Sequence, residues 1–414
     1  MRIVYERCAG LDVHKKTVVA CRIMPDGQGG WFIEVRTFGT MLDDLLVLAD
    51  WLRAAGVTHV ALESTGVYWK PVFNILEADF EVLLINARHI KFVPGRKTDV
   101  KDAQWIADLL QHGLLSASFI PPAPQRELRE LVRYRTHLIE ERTREVNRVH
   151  KVLEDANLKL ASVATDIMGV SGRDMLAAII AGKEDPMVLA QLAKARLRLK
   201  IADLERALTG HVKDSHRLLL KLHLEHIDEL NAKITTLEEE IAKLLPPFDQ
   251  DELLMRLQTI PGVGEKVAQA IVAEIGTDMS RFKSAAHLAS WAGLVPGKNE
   301  SAGRNHSAKT NKANRYLKSI LVEAAQAVGH THQTHLAAQF HRLAARRGKK
   351  RAAVAVAHSI LVIVYHIIRR GTVYTDLGAN YFDERKADTI QHQLVKRLER
   401  LGFTVSLQPQ SQTA

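Results

Sequence analysis

The feature that most constrains this chain is the order of its short apolar runs over the first 115 residues. Residues 9–13, 17–23 and 31–38 have strand length and composition, and Pro25-Asp26-Gly27-Gln28-Gly29-Gly30 supplies a turn between the last two. After them, helical and extended patterns alternate. A helix is expected over 42–55, a strand over 57–62, a helix over 67–76, a strand over 80–85 and a helix from about 99 to 112. Two of these strands carry an acid where apolar residues dominate. Asp12 interrupts Ala9-Gly10-Leu11-Asp12-Val13, and Glu63 closes the run Val57-Thr58-His59-Val60-Ala61-Leu62-Glu63. A carboxylate in such a place is costly unless something positive holds it.

Three strands followed by alternating helix and strand is the order of the ribonuclease H-like fold. That order puts Asp12 on the first strand and Glu63 at the carboxyl end of the fourth, where sites of α/β sheets form. The segment Lys97-Thr98-Asp99-Val100-Lys101-Asp102-Ala103 then places Asp99 and Asp102 three residues apart, on one face of the last helix. Four converging acids make an oxygen-only set suited to Mg²⁺ or Mn²⁺. Taken singly, Glu63 could end a strand in solvent and Asp99 could cap a helix. Lys97 and Lys101 suit either a phosphate or a solvated helix face.

The formal charge of +10 over 414 residues favours a polyanionic partner over a small neutral substrate. Cys8 and Cys21 are the only cysteines and form no CxxC, so a zinc ribbon or disulfide framework is not expected and a reducing cytoplasm fits. The N-terminus lacks the apolar core of a signal peptide. Residues 352–368 are apolar and flanked by arginines and lysines, but they are short for a membrane span and include His358, Ser359, Tyr365 and His366; they read as a buried core helix.

Pro121-Pro122-Ala123-Pro124 marks a boundary, after which the chain reads as helical. Leu220, Ile227, Leu230, Ile234, Leu237, Ile241 and Leu244 follow 3/4 spacing, the pattern of a coiled-coil hairpin or a dimer seam, with His223 replacing one apolar position. Pro246-Pro247 stops that helix. Next, Leu257-Gln258-Thr259-Ile260-Pro261-Gly262-Val263-Gly264 precedes a helix over 265–275, a helix-hairpin-helix pattern in which Gly262 and Gly264 would let backbone N–H groups approach a DNA phosphate. The expected organisation is therefore α/β followed by all-α: an N-terminal domain over 1–120, a helical coiled-coil region over 121–250, a helical C-terminal domain over 251–383 and a tail over 384–414 whose end, 408–414, is expected to lack structure.

Within the C-terminal domain, Asn299-Glu300-Ser301-Ala302-Gly303-Arg304 sets a serine among small residues, ahead of a basic stretch with Lys309, Lys312 and Arg315. A serine hydroxyl needs a base or a metal to become a nucleophile, and spacing alone favours a plain turn serine. A second basic cluster, residues 342–351, includes Arg346, Arg347, Lys349 and Lys350 and suits phosphate. The histidines of His330-Thr331-His332-Gln333-Thr334-His335 fit no common zinc spacing and read as a polar connection.

On these residues the chain resembles an insertion-sequence transposase of the IS-one-ten family, in its IS-eleven-eleven branch, related to the Piv invertase. The resemblance is carried by Leu11-Asp12-Val13-His14, Glu63-Ser64-Thr65-Gly66, Lys97-Thr98-Asp99 through Asp102-Ala103, Ile260-Pro261-Gly262-Val263-Gly264, Glu300-Ser301-Ala302-Gly303, Gly371-Thr372 through Tyr374, and Asp376-Leu377-Gly378. It implies a RuvC-like metal site of Asp12, Glu63, Asp99 and Asp102, and a separate transposase domain whose nucleophile is Ser301, with Arg304 near phosphate. It further implies donor and target DNA as substrates, an element-encoded bridge RNA, a homo-oligomer joined through the coiled coil, and a nucleoid-associated cytoplasmic setting. Ala313 stands where the family pattern has glycine, and alanine does not readily hold φ > 0. Two rival readings remain: a RuvC-like junction nuclease in which water attacks, and a non-catalytic DNA-binding regulator.

Overall fold

The computed structural model describes residues 2–63, 66–85, 102–297, 300–301, 304–305, 310 and 313–407, with residues 300, 301, 304 and 305 described by backbone alone. Two compact units are present, Met1–Pro121 and Pro122–Ala414.

The first unit is built on a five-stranded sheet of β1 (Cys8–Val13), β2 (Thr17–Pro25), β3 (Trp31–Gly39), β4 (His59–Glu63) and β5 (Glu81–Ile85), in the order β3-β2-β1-β4-β5. β1, β2 and β3 run antiparallel as a meander, whereas β4 and β5 are parallel to β1. This topology is compatible with the ribonuclease H-like expectation. β4 starts two residues later than expected and takes in Glu63.

The two faces follow from strand periodicity. Ala9, Leu11, Val13, Val60 and Leu62 point to the face covered by α1 (Leu42–Ala54) and α2 (Trp69–Leu76). Cys8, Cys21, Ile23, Ala61 and Ile85 point to the opposite face, which α3 (Asp102–Gln111) covers with Ala103, Ile106, Ala107 and Leu110. Those four helix positions are spaced i, i+3, i+4 and i+7, one apolar stripe. Both cysteines are free and fully buried. Burial pushes the Cys8 and Cys21 thiols up to about 12. The thiolate is the reactive species, so the folded chain is expected to resist iodoacetamide at pH 8 and to take label at both positions only in denaturant, as read by mass spectrometry; labelling of the native chain would contradict the packing.

In the second unit, α4 (Ala123–Asp155) lies along α6 (Asp214–Leu244), and α5 (Val170–Ile180) closes a core at one end of the pair. Leu220, Leu224, Ile227, Leu230, Ile234 and Ile241 of α6 are buried. Of the two sequence readings, hairpin or dimer seam, the apolar stripe is thus used within the chain; Leu230 and Ile234 meet Leu138 of α4. His223, the polar exception, places Nδ1 2.6 Å from Glu145 Oε1 of α4, which accounts for a histidine in an otherwise apolar row.

Beyond Pro246 stands a helical bundle of α7 (Leu253–Gln258), α8 (Glu265–Ile275), α9 (Ala285–Trp291), α10 (Arg315–Val328), α11 (His335–Arg347) and α12 (Lys349–Arg370). α12 is the one helix among the described residues long and apolar enough to cross a membrane. It packs against α9, α10 and α11 and buries Val356, Ile360, Leu361 and Val364, as a core helix does. The tail contains α13 (Ala387–Arg400), which buries none of its residues; residues 408–414 lie outside the described part.

Candidate functional site

The parallel register decides where the N-terminal acids stand. Gly10 pairs with Ala61 and Leu11 with Leu62, so Asp12 and Glu63 come next on adjacent strands, at one level and at the carboxyl ends of both. Ala61 faces α3, and two residues further along the same strand Glu63 faces the same way; by the same alternation Asp12 follows Gly10. Asp102 opens α3 on that face, one turn before the sheet-facing Ile106. The helix N-terminus favours its negative charge.

Gly10 sets the approach of α3. A Cβ on it would lie 2.3 Å from both the Ala103 carbonyl oxygen and the Ala107 nitrogen. Helix backbone therefore rests directly on the strand, which keeps Asp102 close over the sheet end. We expect Gly10→Ala to destabilise the chain by about 1–3 kcal/mol, because backbone rather than a flexible side chain must move; denaturant titration of the full chain checks this, and an unchanged midpoint would refute the close contact.

Asp12 is only 17 % exposed, and its Oδ2 lies 3.1 Å from His14 Nε2. Asp12, Glu63 and Asp102 are all-oxygen donors on one face of one sheet end, chemistry that fits a hard divalent cation. Among the described residues, however, no three His, Cys, Asp or Glu side chains close into a metal-holding group. The fourth expected ligand, Asp99, lies outside the described residues, as do Lys97 and Lys101.

Ser301 belongs to the second unit. It ends β6 (Glu300–Ser301) and pairs with Arg304, the first residue of β7 (Arg304–Asn305). Lys309 and Lys312 lie outside the described residues. Arg315 is exposed at the start of α10, with its guanidinium 4.7 Å from the centre of the Tyr316 ring. Arg133 of α4 takes the same ring at 4.4 Å, leaving an aromatic held between two cations. Arg346, Arg347, Lys349 and Lys350 are all exposed at the α11–α12 junction, free of burial that would hinder a phosphate.

The glycine turn divides into two roles. A Cβ on Gly262, whose φ is +82°, would come 2.5 Å from the Ala324 carbonyl oxygen of α10, so this glycine serves packing within the chain. Gly264 has open space around it and precedes α8, but Glu265 adds negative charge to that first turn, which opposes an anion there. The histidine run also resolves structurally: His332 stacks on His341 with ring centres 4.6 Å apart, and His335 stacks on Phe382 at 4.8 Å.

One arrangement had no forecast. Glu274 of α8 is 1 % exposed and accepts from Arg133 Nε at 2.6 Å, Arg133 Nη2 at 2.8 Å and Asn314 Nδ2 at 2.6 Å. Asn314 Oδ1 in turn accepts from the Leu317 N–H and caps α10. The N-cap of the helix that comes after the serine segment is thus seated by a buried carboxylate. Its only trace in the sequence is an acid inside the apolar stretch Ile271-Val272-Ala273-Glu274-Ile275.

Two family models match separate stretches of the chain. The IS110-type DEDD transposase model matches residues 9–158, and the model described as transposase of the IS116/IS110/IS902 family matches residues 254–342. The transposase for insertion sequence element IS1111A of Coxiella burnetii is 27% identical over 298 residues, covering 70% of this chain and 72% of that protein. The transposase for insertion sequence element IS1328 of Yersinia enterocolitica is 25% identical, covering 79% and 89%. The pilin gene-inverting protein of Moraxella bovis is 25% identical over 377 residues, covering 87% and 95%. Both matched models are of transposases. The chain belongs to the IS110/IS116/IS902 transposase family, whose members serve insertion-sequence mobility. A DEDD domain also suggests dependence on a divalent metal.

Proposed function

We propose that this chain is a DNA recombinase that moves its insertion sequence through a metal-assisted serine nucleophile. The observation that carries this reading is the placement of Asp12, Glu63 and Asp102 on one face at one end of the sheet, in a chain whose second matched domain contains Ser301. Asp12, Glu63, Asp102 and Asp99 would hold Mg²⁺ or Mn²⁺. The ions would supply polarisation of the phosphate and offset charge on the entering and leaving oxygens. Ser301 Oγ then forms a bond to phosphorus as the bond to the leaving strand end breaks; the net proton transfer is from Oγ to the leaving oxygen. The strand is thereby held as a phosphoserine ester until an incoming hydroxyl reverses the step. Arg304, Lys309, Lys312, Arg315 and the 346–350 cluster would hold phosphates and so position DNA without reading bases.

Sequence choice falls, in this reading, to a bridge RNA pairing with donor and target DNA, which leaves the protein to recognise backbones. The enzyme would act as a homo-oligomer on nucleoid DNA.

The test is an adduct trap. Full chain, the element's bridge RNA, junction DNA and Mg²⁺ are expected to yield a denaturation-resistant protein–DNA species that Ser301→Ala abolishes and EDTA prevents, with activity returning on Mn²⁺ addition. Cleaved ends without any adduct would establish a water-using nuclease instead. Tight DNA binding with no cleavage would establish a regulator.

A further inference from the structure

We propose that the outer edge of β3, which no strand pairs among the described residues, is an interface that joins two copies of this chain through antiparallel pairing of β3 with β3, centred on Val35. This interface is independent of the recombinase chemistry above, and its failure would leave that chemistry untouched.

The two edges of the sheet are treated differently. At the β5 edge, Ala117 bridges Ile85 and the Ser118 N–H donates to the Leu84 carbonyl at 2.7 Å, so the chain covers its own strand. At the β3 edge the ladder to β2 runs through nine consecutive pairs, from Thr17↔Gly39 to Pro25↔Trp31, without a bulge. β3 has no proline and no lysine. Proteins that keep such an edge solitary blunt it with those devices, and this one lacks them. It also exposes apolar side chains: Phe32 is 46%, Ile33 46% and Val35 45% exposed, and Trp31 37%. Trp31 and Ile33 line a groove of about 440 Å³ beside Trp105 of α3, on the part of the sheet that α3 leaves uncovered.

The occupant follows from the order of charges. Antiparallel pairing of a strand with itself opposes residues whose numbers have a constant sum. A centre at Val35 sets Glu34 opposite the partner's Arg36 and Arg36 opposite the partner's Glu34. It sets Ile33 opposite Thr37, Phe32 opposite Phe38, and Trp31 opposite Gly39, which leaves space for the indole. Val35 meets its own copy. A centre one residue earlier opposes Glu34 to Glu34, and a centre one residue later opposes Arg36 to Arg36; like charges directly opposite are unfavourable. The Val35 register alone among these three makes two attractive pairs, and it is self-complementary as a two-fold interface must be. Within the chain Glu34 is already paired with Arg22 of the inner neighbour β2, whose Nη2 lies 2.6 Å from Glu34 Oε2, so the partner's Arg36 would join an existing ion pair.

The experiment uses the full chain. Val35→Cys treated with a short bismaleimide is expected to give a covalent dimer, since Cys8 and Cys21 are buried. Ile33→Cys and Thr37→Cys chains should cross-link when mixed but not when each is alone. Arg36→Glu is expected to weaken self-association by about tenfold or more in sedimentation, and adding Glu34→Arg together with Arg22→Glu should restore it, because every charge pair, that of Arg22 with Glu34 included, is then exchanged rather than lost. The restoration separates an interface from mere damage to the sheet. A chain that stays monomeric at all concentrations, or a Val35→Cys chain that gives no dimer, overturns the proposal, as does an Arg36→Glu chain that associates normally.

Discussion

Asp12→Asn should reduce DNA strand cleavage by about 10³-fold or more while leaving DNA binding within twofold. The substitution keeps the shape of the side chain and an oxygen able to accept from His14, 3.1 Å away in the native chain, so the sheet end should persist. What it removes is one unit of negative charge from a group of acids that share a face with Glu63 and Asp102. A divalent ion contributes several kcal/mol to phosphoryl transfer, and a ligand set short of one charge holds it weakly. Cleavage of labelled junction DNA measures the first quantity and fluorescence anisotropy the second. Because binding is proposed to rest on cations elsewhere in the chain, the two should separate. Retained cleavage would remove Asp12 from the chemistry; joint loss of binding and of the folded circular dichroism signal would show that Asp12 is structural, and the metal assignment would fall with it.

How much of this was legible beforehand depends on the range of the signal. The alternation of Ala9, Leu11 and Val13 against Cys8, Gly10 and Asp12 is local, so the sheet and the side of it that Asp12 faces could be read from spacing. The turn at residues 25–30 fixed the β2–β3 meander for the same reason. By contrast, Gly10 looked like an ordinary strand residue, because its role depends on Ala103 and Ala107 nearly a hundred positions away. The motif suggests phosphate at Gly262, and it does not show that the missing side chain also makes room for Ala324, a contact that no local pattern encodes. Likewise the heptad spacing of α6 specifies an apolar stripe without specifying its partner; α4 of the same chain fills it. Asp12 and Glu63 stand out in the sequence because an acid in an apolar strand is costly. By that logic Glu274 could have been found as well, since it too breaks an apolar run, but its partners Arg133 and Asn314 lie far apart in sequence and belong to no motif.

Glu274 is therefore the position where the largest loss of stability is expected. Glu274→Ala should cost about 3–5 kcal/mol, because it removes the carboxylate that offsets two guanidinium groups and leaves the charge of the largely buried Arg129 without it. Arg133 meets Glu274 Oε1 at 2.6 Å, and Arg129 Nε lies 3.5 Å from Oε2 with its side chain only 13 % exposed. Burial lowers Arg129 to about 10 despite the opposing pull of Glu274, so it is charged at neutral pH in the native chain. The direct contact with Asn314 would go as well, loosening the cap of α10 and the seat of the chain that follows Ser301. Urea unfolding of the second unit's helical signal measures the loss. Glu274→Gln should cost less, since an amide oxygen still accepts from Asn314. Replacing Arg129, Arg133 and Glu274 together by methionine should recover part of the stability that Glu274→Ala loses, because no charge then stays behind. A cost of under about 1 kcal/mol for Glu274→Ala, or a triple variant weaker than the single one, would show that α4, α8 and α10 are held by their apolar contacts and that the buried charges contribute little.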